Sequence, residues 1–371
     1  MIQDIKNHIR FNLKNIPGWR TSRKLLIFES DDWGSVRMPS LNAYDIIVKS
    51  GVPIENSYYD RNDTLARAED LESLFNVLMS VKDSTGRPAV FNPFVNPCNP
   101  HYQKIKESGF ELYYPEVFFD TLDRWGETAE IKSLWMQGIQ DEIFNPAYHG
   151  REHLCVPLWM RHLKNGNKLL REGFNNEFYS VPLSTLNSNV SAFRPALYFD
   201  RVSDIPQLSL SIKEGLAYMK ELFPKFSYVF CPPNGVSHQI FDDVAFENDI
   251  NTIVALRKRP EPDGRGGFSH TYYRFGKQRK NGQVYYSRNC GFEPGRGKMN
   301  AAFCLQQIDA AFRWGKPAVI STHRVNYMGK LNPKNRKIGL EQLKELLERV
   351  TKKHPSVEFI TSQELSELII K

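Results

Sequence analysis

Residues 24–35 read KLLIFESDDWGS, an apolar run that ends in two adjacent aspartates, Asp31 and Asp32. A short apolar run of this kind is typical of a strand that is buried on both faces, as in a parallel sheet. Consecutive side chains of a strand point to opposite faces, so the two acids cannot both lie on one exposed face. A turn or a helix N-cap also favours Asp. The pair is therefore a candidate site only if other polar residues join it.

Six further apolar runs continue the pattern, and the predicted strands are 24–30, 88–95, 227–231, 252–256, 283–288, 317–322 and 357–361. Helical periodicity covers 208–222, 302–314 and 338–352, and a capping box formed by Thr361 and Glu364 begins a last helix. Asn281-Gly282 predicts a type I′ hairpin turn. Alternation of strands and helices predicts an α/β fold. We expect an irregular (β/α) barrel, and an open doubly wound sheet fits the periodicity equally well.

Polar residues directly follow several of these strands. Asn92 lies in the second, Pro233 and Asn234 follow the third, and His323 follows the strand 317–322. The carboxyl ends of parallel strands form the edge at which α/β enzymes carry their active sites. We therefore expect these residues to gather around the two aspartates.

His149 and His153 are four residues apart, close enough to share a cation on one turn. With Asp32 they make a set of two imidazoles and one carboxylate that suits Zn²⁺, with Co, Ni or Mn as other candidates, and leaves a position open for water. Asp31 would then act as the base that accepts a proton from that water. His323 would be the protonated group that gives a proton to the leaving group.

The stretch HGREH, residues 149–153, also matches the zinc-peptidase pattern H-x-x-E-H. That pattern requires a long regular helix. Pro146, Gly150 and Pro157 disfavour such a helix here, so a short turn at a strand end is the preferred interpretation.

The composition excludes some classes of protein. The chain has 371 residues and a net charge of +7, and no apolar run approaches the roughly 18 residues of a membrane span. Its N-terminus lacks the apolar core of a secretory signal, and its five cysteines contain no CxxC pair. We expect a cytoplasmic protein without a nucleic-acid partner. The basic stretch 257–282 reads as a solvated hairpin or as a grip for phosphate or acidic sugar.

As a set, the strings SDDWGS, YHGREHL, RNCGFEP and STHRVNY resemble the NodB-like polysaccharide deacetylase superfamily. The resemblance runs from about residue 24 to the C-terminus and implies a (β/α)7-type barrel. The sequence has no internal repeat, low-complexity tract or linker, which predicts a single domain over residues 1–371. It implies removal of N- or O-acetyl groups from a carbohydrate, with an anionic or lipid-linked sugar among the candidates. It assigns the base to Asp31, the metal to Asp32, His149 and His153, and the acid to His323. The long spacing between Asp32 and His149 leaves room for a helical insertion at about 40–140.

The chain also departs from that family. Its third motif reads Cys-Pro-Pro-Asn at 231–234, where the family has Arg-Pro-Pro-Tyr, so the arginine that steadies the base is missing. Arg151 or Arg288 would substitute for it. Arg288 and Glu293 form either an internal ion pair or substrate contacts. Trp33 either stacks on a sugar ring or belongs to the core.

Two other functions therefore stay open. The first is that of a catalytically silent carbohydrate-binding relative. The second is that of a metal-dependent hydrolase of another amide or glycosidic bond.

Overall fold

The computed structural model describes residues 2–182 and 193–371, with side chains from residue 6 onward. Its strands are β1 (Lys24–Trp33), β2 (Phe91–Val95), β3 (Cys98–Pro100), β4 (Pro115–Val117), β5 (Ala147–Tyr148), β6 (Ser227–Phe230), β7 (Thr252–Val254), β8 (Lys258–Pro262), β9 (Phe268–Tyr272), β10 (Lys277–Gln278), β11 (Val284–Tyr286), β12 (Cys290–Gly291), β13 (Ala318–His323) and β14 (Val357–Phe359). Its helices are α1 (Ile2–Leu13), α2 (Leu41–Lys49), α3 (Tyr58–Asn62), α4 (Ala68–Met79), α5 (Tyr102–Glu107), α6 (Phe118–Arg124), α7 (Thr128–Gln140), α8 (Val156–Lys164), α9 (Lys168–Asn175), α10 (Ile205–Leu222), α11 (Gln239–Phe246), α12 (Ala301–Arg313), α13 (Pro333–Lys353) and α14 (Ser362–Ile370).

One large sheet organises the fold. Its strand order is β10-β11-β7-β6-β5-β2-β1-β13-β12, with β14 also paired to β1, and every pair except β10–β11 is parallel. Each of the seven strands predicted from the sequence overlaps a strand of this sheet. The short apolar runs are buried because helices cover the outer side of a parallel sheet. The α/β class is confirmed.

The sheet is curled rather than flat. Between β11 and β12 the order places seven strand spacings, which would separate them by about 34 Å in a flat sheet. Only residues 287–289 connect these two strands, and that length of chain spans at most about 14 Å. The two ends of the sheet therefore approach each other, as in an irregular barrel. Among the two architectures open at the sequence level, the barrel is confirmed.

The helical region expected at 40–140 is divided by β2. Helices α2 to α4 connect β1 to β2, whereas α5 to α7 and the β3–β4 hairpin connect β2 to β5. Because β2 is hydrogen-bonded to β1, the region forms two long connections rather than one continuous insertion. The assignment of residues 1–371 to a single domain stays a prediction.

Two local predictions have different outcomes. The capping box at α14 is present, with Thr361 and Glu364 each bonded to the backbone of the other. The turn at Asn281-Gly282 joins β10 and β11, but Gly282 alone has a positive φ, of 90°. A type I′ turn needs positive φ at both central residues, so that turn type is wrong although the hairpin is present.

The basic stretch 257–282 contains the antiparallel hairpin β8–β9. The hairpin is confirmed, but its charges are not all solvated. Arg259 is fully buried and pairs with Asp242 at 2.8 Å and Glu261 at 2.7 Å. A buried arginine needs such partners, because desolvating an unpaired charge costs several kcal/mol, of the order of 5.

None of the helices in the described ranges combines the length and the hydropathy that crossing a bilayer requires.

Candidate metal centre

A cavity of 640 Å³ opens at the carboxyl ends of the barrel strands. Its walls come from residues at or just after the ends of β1, β5, β6, β7, β11 and β13. Its volume lies in the range of small-molecule sites. The strand-end edge predicted to carry the site is therefore concave and large enough for a sugar.

Strand β1 is irregular at Asp32. This residue has a φ of 73°, and the pairing of β1 with β2 changes register between Ser30 and Trp33. The left-handed region is costly for most residues but more accessible to Asp, whose short polar side chain forms local hydrogen bonds. A regular strand would point Asp31 and Asp32 in opposite directions. With the irregularity, both line the cavity.

The two histidines lie on a turn that follows β5, not on a helix. Asn96 holds this turn by donating from Nδ2 to the carbonyls of His149, at 2.6 Å, and Gly150, at 3.1 Å. Gly150 has a φ of 89° and lies against Pro233 of the Pro-Pro turn. Glu152 is buried and paired with its neighbour Arg151. The peptidase interpretation requires a helix that this segment does not form.

Three ligating atoms converge. Oδ1 of Asp32 lies 3.6 Å from Nε2 of His149 and 3.1 Å from Nε2 of His153, and the three atoms lie within 4.8 Å of one another. In a tetrahedral zinc site with ligands at about 2.0–2.1 Å, neighbouring ligand atoms are about 3.3 Å apart. The observed separations lie on either side of that value, so the residues fit a cation of this size.

The protonation of the three groups also fits. Nδ1 of His149 lies 2.6 Å from the carbonyl oxygen of Cys231, which only accepts, so Nδ1 donates and Nε2 is the ring atom turned to Asp32. Burial outweighs the effect of Asp32 and lowers the pKa of His153. For Asp32, burial would raise the pKa, but His153 and His149 hold it well below its usual range. Neutral imidazoles and an ionised carboxylate are the forms that bind metal.

A second group, Asp31, His149 and Cys231, is also close enough to consider. It fits a metal less well. Burial raises the pKa of Cys231 well above its ordinary value, which keeps the thiol protonated, whereas a metal binds the thiolate. Asp31 is occupied as well, because Arg288 binds both of its carboxylate oxygens.

Arg288 holds Asp31 in place. Its Nη1 and Nη2 donate to the two oxygens of Asp31 at 2.5 and 2.7 Å, and its Nε donates to Glu29 at 2.6 Å. Glu29 is itself bound by Tyr286 and Ser362. Burial would raise the pKa of Asp31, but Arg288, followed by His149 and His323, lowers it below the usual value. Of the two arginines considered from the sequence, the structure therefore places Arg288 beside Asp31.

His323 is held by an acid. Its Nδ1 donates to Glu293 at 2.5 Å, and Asn326 donates to the other oxygen of Glu293 at 2.7 Å. Burial lowers the pKa of His323, but Glu293, Asp32 and Asp31 outweigh it and raise that pKa to about 10. Nε2 of His323 lies 3.9 Å from Asp31. The ring is thus a charged donor at neutral pH that faces the same carboxylate as Arg288.

Five of the residues expected to touch substrate do not reach the cavity, namely Trp33, Asn92, Arg151, Pro233 and Glu293. Trp33 is fully buried, where its Nε1 donates to Ser30 and its ring packs on Trp135 and Phe144. Asn92 is fully buried and bonds the backbone of Phe28 and of Ser362. Arg151 pairs with Glu152 and Glu214 and stacks on Tyr113, and Pro233 packs under Gly150. Their sites are already filled by protein groups. Asn234, Arg288 and His323 do line the cavity. Glu293 bonds His323, and Arg288 pairs with Asp31 and Glu29, so the ion pair considered between Arg288 and Glu293 is wrong.

Replacing Trp33 by phenylalanine should therefore reduce stability and leave substrate binding unchanged. The change removes one buried hydrogen bond and part of a well-packed ring, which should cost about 1–3 kcal/mol in the free energy of unfolding. Chemical denaturation measures this cost, with Trp125→Phe, a partly exposed site, as the matched control. If Trp33 stacked on a sugar ring, Trp33→Phe would instead raise KM.

Arg257, the first residue of the basic stretch 257–282, lines the cavity, whereas Lys14, Arg37, Tyr59 and Gln307 line it without having been predicted from the sequence. Arg194 also lines the cavity. Gln307 lies in α12 and Tyr59 in α3, while Lys14 and Arg37 lie in loops, so none of the four follows the end of a predicted strand. Tyr59 contacts His323 edge to face, with ring centroids 5.3 Å apart.

Together these features define an α/β barrel with a candidate metal centre at the carboxyl ends of its strands. No family model and no curated protein matches the sequence. Among solved structures, the chain is similar to a Mycobacterium smegmatis protein assigned provisionally to the polysaccharide deacetylases, at 12% identity and a TM-score of 0.44, over 95% of this chain and 93% of that one.

It is also similar to a Parabacteroides distasonis protein assigned provisionally as a glycoside hydrolase/deacetylase, at 11% identity and a TM-score of 0.46, over 96% of this chain and 72% of that one. A 4-alpha-glucanotransferase from Thermococcus litoralis matches at 11% identity and a TM-score of 0.42, over 92% of this chain and 40% of that one.

Proposed function

We propose that this protein is a metal-dependent hydrolase that removes acetyl groups, from nitrogen or oxygen, from a carbohydrate. One observation carries the proposal. The ligating atoms of Asp32, His149 and His153 converge beside a carboxylate held by arginine and an imidazole held by glutamate, all in one cavity. A metal site with an adjacent base and an adjacent acid supplies the groups that hydrolysis of an acyl bond requires.

Asp32, His149 and His153 would hold the metal, with zinc the first candidate because the ligands are two nitrogens and one oxygen. A divalent cation bound there lowers the pKa of a water and polarises an acyl carbonyl. Asp31 is the base. Its lowered pKa keeps it ionised, and Arg288 keeps its carboxylate oriented, so it is ready to accept a proton from water.

His323 is the acid. Glu293 fixes the ring through Nδ1, which leaves Nε2, on the side of Asp31, to give a proton to the departing nitrogen or oxygen. An amine leaves far more easily when protonated, so this group matters most for N-acetyl substrates. Base and acid are kept in their working forms by different neighbours, Arg288 for Asp31 and Glu293 for His323.

Replacing Glu293 by glutamine should shift the alkaline limb of the kcat/KM profile to lower pH. The acid works only when His323 is protonated, so activity is present below the folded pKa of about 10 and is lost as pH rises through it. Removing the largest of the influences that raise this pKa moves it towards 6.5, by about 1–3 pH units. The pH dependence of acetate release between pH 5 and 10.5 measures the shift.

Glu55→Gln, at an exposed glutamate, is the matched control for that charge change. The same linkage predicts a stability effect. The protonated His323 stabilises the wild-type fold below pH 6.5, and this contribution declines as pH rises towards 10, so Glu293→Gln should flatten that part of the stability profile. An alkaline limb that stays in place in an active Glu293→Gln protein would remove His323 from the acid role.

Acetate release is the direct test of the function. The full chain, loaded in turn with zinc, cobalt, nickel and manganese, is incubated with a panel of acetylated sugars, and free acetate is measured. His270→Ala, at an exposed histidine outside the cavity, serves as the active control for His149→Ala. Metal-dependent acetate release supports the proposal. Stoichiometric metal and sugar binding with no product would favour the silent carbohydrate-binding relative, and release of a sugar or an amine without acetate would favour hydrolysis of another bond.

A further inference from the structure

The charges that line the cavity do not balance. Among the described residues, five lysines and arginines reach it, namely Lys14, Arg37, Arg194, Arg257 and Arg288, besides His323, whose charge Glu293 balances. Only two carboxylates of the described residues reach it, those of Asp31 and Asp32. Arg288 is neutralised by Asp31 and Glu29, and Arg37 by Asp60. Any divalent cation at Asp32 would increase the excess. The positive charge is therefore available to a ligand.

Arg194 has no hydrogen-bond or ion-pair partner among the described residues. No ion pair or hydrogen bond joins its side chain to any other side chain in the described ranges, and its Nε is buried with no acceptor. Residues 183–192, which precede it closely in the chain, contain no Asp or Glu. The side chain as a whole is half-buried, but this Nε–H group is out of contact with solvent. Leaving a buried donor unpaired costs about 1–3 kcal/mol, so the state is unusual unless a ligand completes it.

The neighbourhood adds to this cost. Arg37 lies close enough that its charge, together with burial, lowers the pKa of Arg194 to about 10. Both guanidiniums stay charged at neutral pH. Asp60 bonds Arg37, and the charges of Asp60 and Asp32 partly offset the repulsion at Arg194, although neither carboxylate pairs with Arg194 directly. Because Asp60 is paired with Arg37 and Asp32 belongs to the metal site, the two like charges favour a further anion.

Arg194 also lies on the side of the metal ligands. Its charge affects both Asp32 and His153, and all three line one cavity. By contrast, Lys14 donates to Gln307 at 3.1 Å, and Arg257 is exposed. These two cations are thus partnered or solvated, which leaves Arg194 as the group best placed to fix a charged substituent near the reacting acetyl group.

We propose that Arg194 binds an anionic group, a carboxylate or a phosphate, on the acetylated sugar that the metal centre acts on. The planar guanidinium matches both groups with two parallel hydrogen bonds, which a lysine does not. The identity of the ligand as a sugar rests on the proposed function, whereas the anion site rests on the unpaired arginine alone. Lys14 and Arg257 would steer the anion towards the cavity.

Binding and kinetics of three sugars test this assignment. They are N-acetylglucosamine, which is neutral, N-acetylglucosamine 1-phosphate and N-acetylglucosaminuronate, and calorimetry with the full chain gives the affinity of each. We expect Arg194→Gln to weaken binding of the preferred anionic sugar by about 30-fold or more, the loss typical of a buried charge pair. Arg201→Gln, at an exposed arginine outside the cavity, removes the same charge and is the matched control. The two anionic sugars separate a phosphate site from a carboxylate site.

Each outcome decides the question. Equal affinities in Arg194→Gln and Arg201→Gln would overturn the inference, and so would an equal loss for neutral and anionic sugars. Thermal unfolding gives a second readout. Because Arg194 has a like-charged neighbour and no partner, Arg194→Gln should not lower the melting temperature, whereas a structural arginine would. If an anionic sugar bound in an Arg194-dependent way but no acetate were released, the proposed function would be contradicted and the anion site would be supported.

Discussion

Replacing His149 by alanine should release the metal and abolish acetate release. His149 is one of three convergent ligands, and its ring is fixed by the hydrogen bond from Nδ1 to Cys231. Groups that merely orient a metal ligand are worth about 10–100-fold in affinity, so loss of a ligand should cost more than about 100-fold. Elemental analysis of the purified protein and metal titration measure the loss.

His153→Ala should also release the metal and abolish acetate release. It should disturb the orientation of the remaining ligands less than His149→Ala does. Nδ1 of His153 has no hydrogen-bond partner in the described ranges, so its ring is less firmly oriented than that of His149. His270→Ala should bind a full equivalent of metal, because His270 lies on the exposed hairpin strand β9. Full stoichiometric metal in His149→Ala would place the site elsewhere in the chain.

The strand-end logic predicted much of the arrangement. Asp31, Asp32, Cys231 and His323 all end or follow parallel strands, and parallel strands deliver their carboxyl ends to one edge. The position of His149 after a strand followed from the prolines and glycine that exclude a helix there. These predictions depend on local sequence and on the topology of parallel sheets, which is why they could be made without coordinates.

The remainder depends on tertiary contacts. The register of β1 depends on the left-handed backbone conformation of Asp32. Two consecutive aspartates in a sequence do not predict such an irregular strand. Likewise, the sequence left Arg151 and Arg288 equivalent as partners of Asp31. The difference arises because Arg288 lies on the three-residue connection that joins the two ends of the curled sheet, beside β1, whereas Arg151 turns to Glu152 and Glu214. Closure of the barrel therefore selects the arginine.

Replacing Asp31 by asparagine should leave the metal bound and reduce kcat/KM by about 100-fold or more, the usual cost of losing a general base. The proposed ligand set consists of Asp32, His149 and His153 and does not include Asp31, so the metal site should survive. Arg288 should also stay in place, because Glu29 still accepts from its Nε. The variant thus removes the proton acceptor without dismantling its surroundings.

The pH profile separates this role from a structural one. The lowered pKa of Asp31 keeps the base ionised down to low pH, so the wild-type acidic limb should lie below the ordinary aspartate value, and in Asp31→Asn any limb due to Asp31 should vanish. Asp45→Asn, at an exposed aspartate on α2, is the matched control and should preserve both metal and profile. If Asp31→Asn bound much less metal, and the fraction that still held metal worked at the wild-type rate, Asp31 would be the ligand. The roles of the two adjacent carboxylates would then be reversed.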